Sequence, residues 1–169
     1  YQEMTQLAED SEPFRSLIDP SRQEFLAPES MTAAMAEFCR RTEQPAPESP
    51  GQFIRCAFES LAMLYARTLE ELEKLTGVKR NRLHIVGGGS QNAFLNQLAA
   101  DTTGLQVLAG PVEATALGNI LIQSMAITGE SPDQARERVR QTFPMQTFTP
   151  RPGRVPESVH RRFQAFRCE

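Results

Sequence analysis

The stretch LHIVGGGSQN, residues 83–92, decides how this chain is read. Apolar, partly β-branched residues run into three consecutive glycines, a serine, and a segment of helical period. A strand that ends in bare glycines lets another group approach its main chain, because no side chain stands in the way. Working outward, residues 91–102 place Phe94, Leu95, Leu98 and Ala99 on one helical face, with Gly104 as the stop. Residues 105–109 form a second short strand. Two strands joined through a helix imply a parallel pair with a right-handed crossover. Ligands of open α/β sheets bind at the carboxyl ends of such strands, which is where the glycines lie.

Downstream, residues 113–128 are almost entirely apolar around Leu117, Ile120, Leu121 and Met125, and this predicts a heavily buried helix. Ser131-Pro132-Asp133-Gln134 starts another helix, and a tail with four prolines from Pro144 precedes a weak final helix over 157–166. Upstream, Met31, Ala34, Met35 and Phe38 recur at helical spacing behind Ser30 as cap. The proline-rich segment 43–50, EQPAPESP, is a loop. Ser49-Pro50-Gly51-Gln52 then has the serine, proline and glutamine of a capping box, and a long apolar stripe follows to Gly77. The expected fold class is α/β, helix-rich with a short parallel strand pair. Two strands leave open edges, so the remaining strands are expected from sequence ahead of Tyr1. A chain opening mid-pattern without methionine fits that expectation.

The 169 residues suffice for one domain with a real core. A net charge of −3 gives no electrostatic reason to expect nucleic acid, and Arg136, Arg138 and Arg140 read as a solvated helix face. No stretch approaches ~20 apolar residues and no signal peptide is visible, so a cytoplasmic protein without membrane contact is expected. Cys39, Cys56 and Cys168 show no metal-ligand spacing and only His84 and His160 accompany them. A Cys39–Cys56 bridge is open if their helices pack as a hairpin; reduced, buried thiols are the simpler expectation.

Three readings compete for the glycines. A P-loop fails because no lysine follows Arg80. A dinucleotide fingerprint has its spacing at Gly87, Gly89 and position 92. That last position is Asn, and Gly110-Pro111 separates Glu113 from the strand end where a ribose-binding acid belongs. The third reading is a nucleotide loop in which Gly87, Gly88 and Gly89 admit a base, sugar or phosphate to the backbone. Ser90 then caps the next helix, and Asn92 offers a donor and an acceptor. A tight turn without ligand is the plain alternative.

The segment 83–123 resembles the C-terminal, nucleotide-binding lobe of the FGGY family of carbohydrate kinases. The resemblance rests on the Gly-Gly-Gly loop, the NQLAAD run at 96–101, the EATALG segment at 113–118 and RCAFESLA at 55–62. Within the family, LHIVGGGSQN, AGPVEATALGN, CRRT, RCAFESLA and TFTP most resemble the members that phosphorylate L-rhamnulose. The resemblance spans roughly residues 19–150. It implies an actin-like, ribonuclease H-like ATPase lobe, with residues 1–169 as the C-terminal lobe and the N-terminal, sugar-binding lobe elsewhere in the same enzyme. It also implies ATP with Mg2+ and transfer of the γ-phosphoryl group to a sugar hydroxyl. The aspartate base of the family matches no residue here, so no catalytic residue is assigned and the lobe by itself is expected to be inactive. Transferred by position, Gly87, Gly88, Gly89, Ser90, Gln91 and Asn92 line the adenosine end of the site. Ala114 and Glu113 either border the same pocket or cap the following helix. Asp101 is expected to be a structural hydrogen-bonder and Gly118 to allow close helix packing, while Glu59 either steadies the sheet edge or stays on the surface. A different FGGY kinase, such as one for xylulose, and a non-catalytic nucleotide-binding module remain the alternatives.

Overall fold

The computed structural model describes residues 2–166, so Cys168 lies outside the described residues. Helix α1 (Gln2–Glu9) leads into an irregular stretch, and α2 (Met31–Arg41) follows, capped by the Ser30 hydroxyl, which accepts from Ala33 N. The long α3 (Pro50–Thr76) begins as the sequence predicts: Ser49 accepts from Gln52 N, Pro50 opens the first turn, and Gly77 ends it at φ 67°. The Gln52 side chain returns to Glu48 N at 2.7 Å, one residue ahead of the expected partner. Gly51 has a separate reason to be glycine. A Cβ there would meet the Leu7 carbonyl oxygen at 2.3 Å, so its absence lets α1 lie directly on α3.

The first core joins α2, α3 and the final helix α7 (Glu157–Ala165) around Phe38, Phe163, Leu17 and Met63. Cys39 and Cys56 are free and buried side by side across α2 and α3. The hydrogen bond with Cys39 and burial both push the Cys56 thiol up, so it stays protonated.

Two ion pairs are buried along α3. Arg67 donates to both oxygens of Asp19, at 2.6 and 2.8 Å, and Arg55 Nε donates to Glu59 at 2.7 Å. Arg55 also donates to the carbonyls of Ala8, Glu9 and Ser11, which seats α1. Burial works to raise the Asp19 carboxyl, but hydrogen bonds from Arg67 and Ser21 outweigh it and hold the group below its ordinary value. For Glu59 burial wins over Arg55, Phe14 N and the nearby Arg162, and the carboxyl is pushed up to about 7. Glu59 is therefore neither at the sheet edge nor on the surface. It is a 1 % exposed carboxylate beneath residue 14.

The sheet begins with β1 (Arg82–Ile85), crosses through α4 (Ala93–Thr103), and returns as β2 (Gln106–Ala109), parallel to β1 with Leu83 opposite Val107. Helices α5 (Ala114–Thr128) and α6 (Pro132–Thr142) follow, and Ser131 with Gln134 forms the full reciprocal capping box of α6. Two expectations are corrected here. The proline-bounded QTF segment is a third strand, β3 (Gln146–Phe148), antiparallel to β2, so the order is β1-β2-β3 and the parallel pair is not alone. Its alternating residues place Phe148 on the sheet core, while the flanking prolines confine it to an edge. Secondly, no residue of α5 is buried among the described residues: Ile120, Ile122 and Ile127 are 63, 66 and 86 % exposed. An apolar composition makes burial favourable but cannot supply the opposing surface. Gly118 likewise meets nothing within 4 Å of a built Cβ, so it permits no close packing among the described residues. Strand β1 is half-exposed rather than buried. No helix among the described residues is long and apolar enough to cross a membrane.

Breaking the Arg67 pair leaves an uncompensated buried charge. Asp19→Ala is expected to cost about 3–5 kcal/mol in denaturant unfolding. Glu59 has a folded-state carboxyl raised above its unfolded value, so its contribution is complete below about pH 4.5 and is lost as pH rises through about 7. Thermal melts between pH 5 and 8 should show this decline, and Glu59→Gln should flatten it.

Candidate functional site

Strand β1 delivers the chain to Gly87, which holds φ 78° and ψ −162°, a conformation open to glycine and strained for other residues. Its N–H donates to the Pro111 carbonyl at 3.0 Å, and Gly110 N–H donates to the Ile85 carbonyl at 2.8 Å. The glycine loop and the turn after β2 are thus clipped together at the carboxyl edge of the parallel pair. Gly88–Gln91 then make a short 3-10 turn.

The cap expected of Ser90 falls to Asn92. Ser90 is buried, and its hydroxyl turns back to the Gly87 carbonyl at 2.7 Å, closing the loop instead of capping a helix. Asn92 is the cap of α4: its Oδ1 accepts from Leu95 N at 3.0 Å, so that oxygen is engaged internally. The reason is local. The 3-10 turn occupies residues 88–91 and delays the start of α4 to Ala93.

Asn96 was not among the expected site residues, yet it anchors the loop. Fully buried, it donates Nδ2 to the Ser90 carbonyl at 2.9 Å, and its Oδ1 has no partner among the described residues. The available signal was an amide one turn beyond Asn92, set among the apolar Leu95, Leu98 and Ala99. A buried polar group there must find a partner.

Gly88 and Gly89 are exposed and unobstructed. Nothing lies within 4 Å of a Cβ built on Gly88, and only Ile85 Cγ2, at 3.9 Å, approaches that of Gly89. Neither carries a positive φ. Packing among the described residues therefore does not require glycine at 88 or 89. Beside the loop opens a cavity of about 690 Å3 lined by Ser90, Gln91, Val112, Glu113, Leu117 and Phe143 among others. Glu113 makes no side-chain cap to α5, and it lines the cavity while Ala114 does not. Asp101 is removed from this chemistry: it accepts from Gln97, Arg151 N and the Arg151 guanidinium, at 2.6 Å for the shortest, and ties α4 to the chain after β3.

The C-terminal domain of the FGGY family of carbohydrate kinases matches residues 1–127. The chain belongs to the FGGY family of carbohydrate kinases. The match starts ahead of the 19–150 span on which the resemblance rested. Rhamnulokinases are its similar relatives. That of Bacteroides thetaiotaomicron is 46 % identical over 152 residues, 89 % of this chain and 31 % of the relative. The Mannheimia succiniciproducens protein is 48 % identical over 152 residues, 89 % of this chain and 32 % of its own. For that of Enterococcus faecalis identity is 43 % over 170 residues, 98 % and 34 % of the two chains. The chain thus spans about a third of the length of the curated relatives it matches. A xylulose kinase from Rhodospirillum rubrum superposes with a TM-score of 0.64 at 17 % identity, covering 98 % of this chain and 32 % of that one. At that identity the likeness shows the fold alone: a helix-rich chain with a small sheet.

The glycine loop of this FGGY domain depends on Asn96 for its shape. Asn96→Asp replaces the donor facing the Ser90 carbonyl with a buried acceptor. It should lower unfolding stability by about 3 kcal/mol, read from denaturant midpoints.

Proposed function

We propose that this chain is the adenosine-binding lobe of an enzyme that transfers the γ-phosphoryl group of ATP to L-rhamnulose, forming L-rhamnulose 1-phosphate. The observation that carries the reading is the open backbone at Gly88 and Gly89. These residues sit at the carboxyl edge of the parallel strands, are bare without a packing reason among the described residues, and run directly into Ser90 and Gln91, which line a cavity of about 690 Å3 that Gly87, Gly88, Gly89 and Asn92 do not themselves line. Gly88 and Gly89 open the 3-10 turn, where N–H groups lack intrahelical partners and suit an anionic or polar ligand. Ser90, Gln91, Glu113 and Gln146 are the polar side chains on a wall otherwise made of apolar residues, glycine and proline, and Glu113 is the one carboxylate among them; a carboxylate there suits ribose hydroxyls and disfavours phosphate. This polarity supports the nucleoside end of ATP at this loop, with the triphosphate directed away from Glu113.

The choice of sugar rests on the rhamnulokinases at 43–48 % identity, since the xylulose kinase likeness is one of fold. Phosphoryl transfer also needs a carboxylate to take the hydroxyl proton and a cation to spread charge. Among the described residues no group of three His, Cys, Asp or Glu side chains converges to hold a metal ion. Base and sugar contacts are assigned to the N-terminal lobe of the same polypeptide, and the reaction, needing ATP, to the cytoplasm.

Gly88→Asp tests the site in the polypeptide that carries both lobes. A carboxylate side chain there blocks approach of the nucleoside to the backbone, while the open space around Gly88 leaves the fold undisturbed. The melting temperature should stay unchanged as ATP affinity falls ~100-fold or more, equivalent to about 2.7 kcal/mol. Unchanged ATP affinity in a folded variant overturns the assignment.

A further inference from the structure

A second cavity, of about 410 Å3, opens between Pro13 and Phe14 from the stretch after α1 and Arg154, Pro156, Ser158 and Arg162 on and before α7. It shares no residue with the cavity beside the glycine loop. Its polar side chains are two arginines and a serine, and no acidic residue lines it. Arg55, Arg67, Arg138 and Arg151 each meet a carboxylate, whereas Arg154 and Arg162 are in no ion pair among the described residues. Two neighbouring acids are turned elsewhere. Glu12 lies 3.9 Å from Arg15, and Glu59 accepts from Arg55 and Phe14 N.

Arg162 is half-buried and built into the wall. Its Nη2 donates to the Phe14 carbonyl, while its Nε is buried with no partner among the described residues. Burial holds its pKa below the ordinary value, although Glu59 pulls the other way. A guanidinium so placed is only partly compensated, and an anion beside it is screened less than in water. The facing wall is fixed as well. Phe14 holds φ 52°, a left-handed conformation that bulky residues rarely adopt. Its N–H donates to Glu59 at 2.8 Å and its carbonyl accepts from Arg162, so the strained residue is held from both sides.

Two guanidiniums and a hydroxyl on one cavity match a dianionic phosphoryl group, whose oxygens accept paired N–H donors. The volume falls within the roughly 300–1,000 Å3 of small-molecule sites, so there is room for more than the phosphoryl group. A net charge of −3 favours a small anion held in a cavity over a nucleic acid laid along a basic face. We propose that this cavity binds a small organic phosphate monoester, with its phosphoryl group between Arg154 and Arg162, Ser158 as a further donor, and its organic part against Phe14 and Pro156. The site is independent of the proposed ATP cavity and stands whether or not the glycine loop binds nucleotide.

The probe is phenyl phosphate, titrated by calorimetry at constant ionic strength and without nucleotide into the polypeptide that carries both lobes. Saturable binding is expected, and Arg154→Gln should weaken it ~10-fold or more, the scale of one charge-assisted hydrogen bond. The melting temperature of that variant should be unchanged, because Arg154 is exposed and has no side-chain partner among the described residues to lose. Phenylglyoxal modification of the unaltered protein gives a second readout: saturating phenyl phosphate should protect Arg154, followed by peptide mass spectrometry. Benzoate keeps the ring but carries a single charge, and it should bind ~10-fold or more weakly. Absence of saturable binding at millimolar phenyl phosphate overturns the site, as does affinity unaltered by Arg154→Gln or Arg154 left unprotected. Benzoate binding as tightly as phenyl phosphate overturns the assignment to phosphate, and inorganic phosphate doing so overturns the organic part.

Discussion

The close contact between α3 and α4 is the constraint on which the loop depends. Ala62 is fully buried and small, which lets the Thr102 hydroxyl reach the Ala62 carbonyl at 3.0 Å while Leu95 and Leu98 close around it. Phe58 and Phe94 meet in a T-shaped pair at 6.1 Å on the same seam. Once α4 is held there, Asn92 and Asn96 are held too, and through them the Ser90 carbonyl and the glycine turn. At 27 residues α3 is about 40 Å long, enough to serve the α2–α7 core with Cys56 and Met63 and the α4 seam with Ala62.

Charge is buried along α3 in a way that selects one arrangement. Arg55 and Arg67 each satisfy a carboxylate together with backbone or hydroxyl acceptors drawn from residues 8 to 21. Such pairs add little net stability compared with apolar side chains of similar volume, since desolvation offsets their attraction. Their effect here is to give the irregular segment between α1 and α2 a single set of partners. Phe14 N–H and Ile18 N–H complete that set by donating to Glu59 and Ser60. The glycine loop is the opposite case. Ser90, Asn92 and Asn96 each direct a side-chain hydrogen bond back into the loop or the start of α4, and the backbone at Gly88 and Gly89 remains the approachable part.

The sheet has one finished face and one unfinished face. On the α4 side Val107, Ala99 and Ala100 are fully buried. On the α5 side the apolar residues of helix and strand face each other across a groove, and the helix leans chiefly on α6. This asymmetry agrees with the shorter length of the chain relative to its kinase relatives. The candidate nucleotide cavity is walled by Leu117 and Ile120 of the same helix.

Local chemistry settled much of this protein in advance. Ser49 and Pro50 start α3, Gly77 and Gly104 end their helices in the left-handed conformation, Ser131 and Gln134 box α6, and the glycines break β1. These signals act within four residues, so they are written in the sequence itself. Tertiary structure decided which asparagine caps and which one anchors, that Glu59 lies buried, that the proline-bounded QTF becomes a strand, and that α5 stays exposed. Those outcomes turn on partners tens of residues away, such as Glu59 with Phe14 or β3 with β2. Burial in particular is a property of two surfaces, and the composition of α5 specifies only one of them.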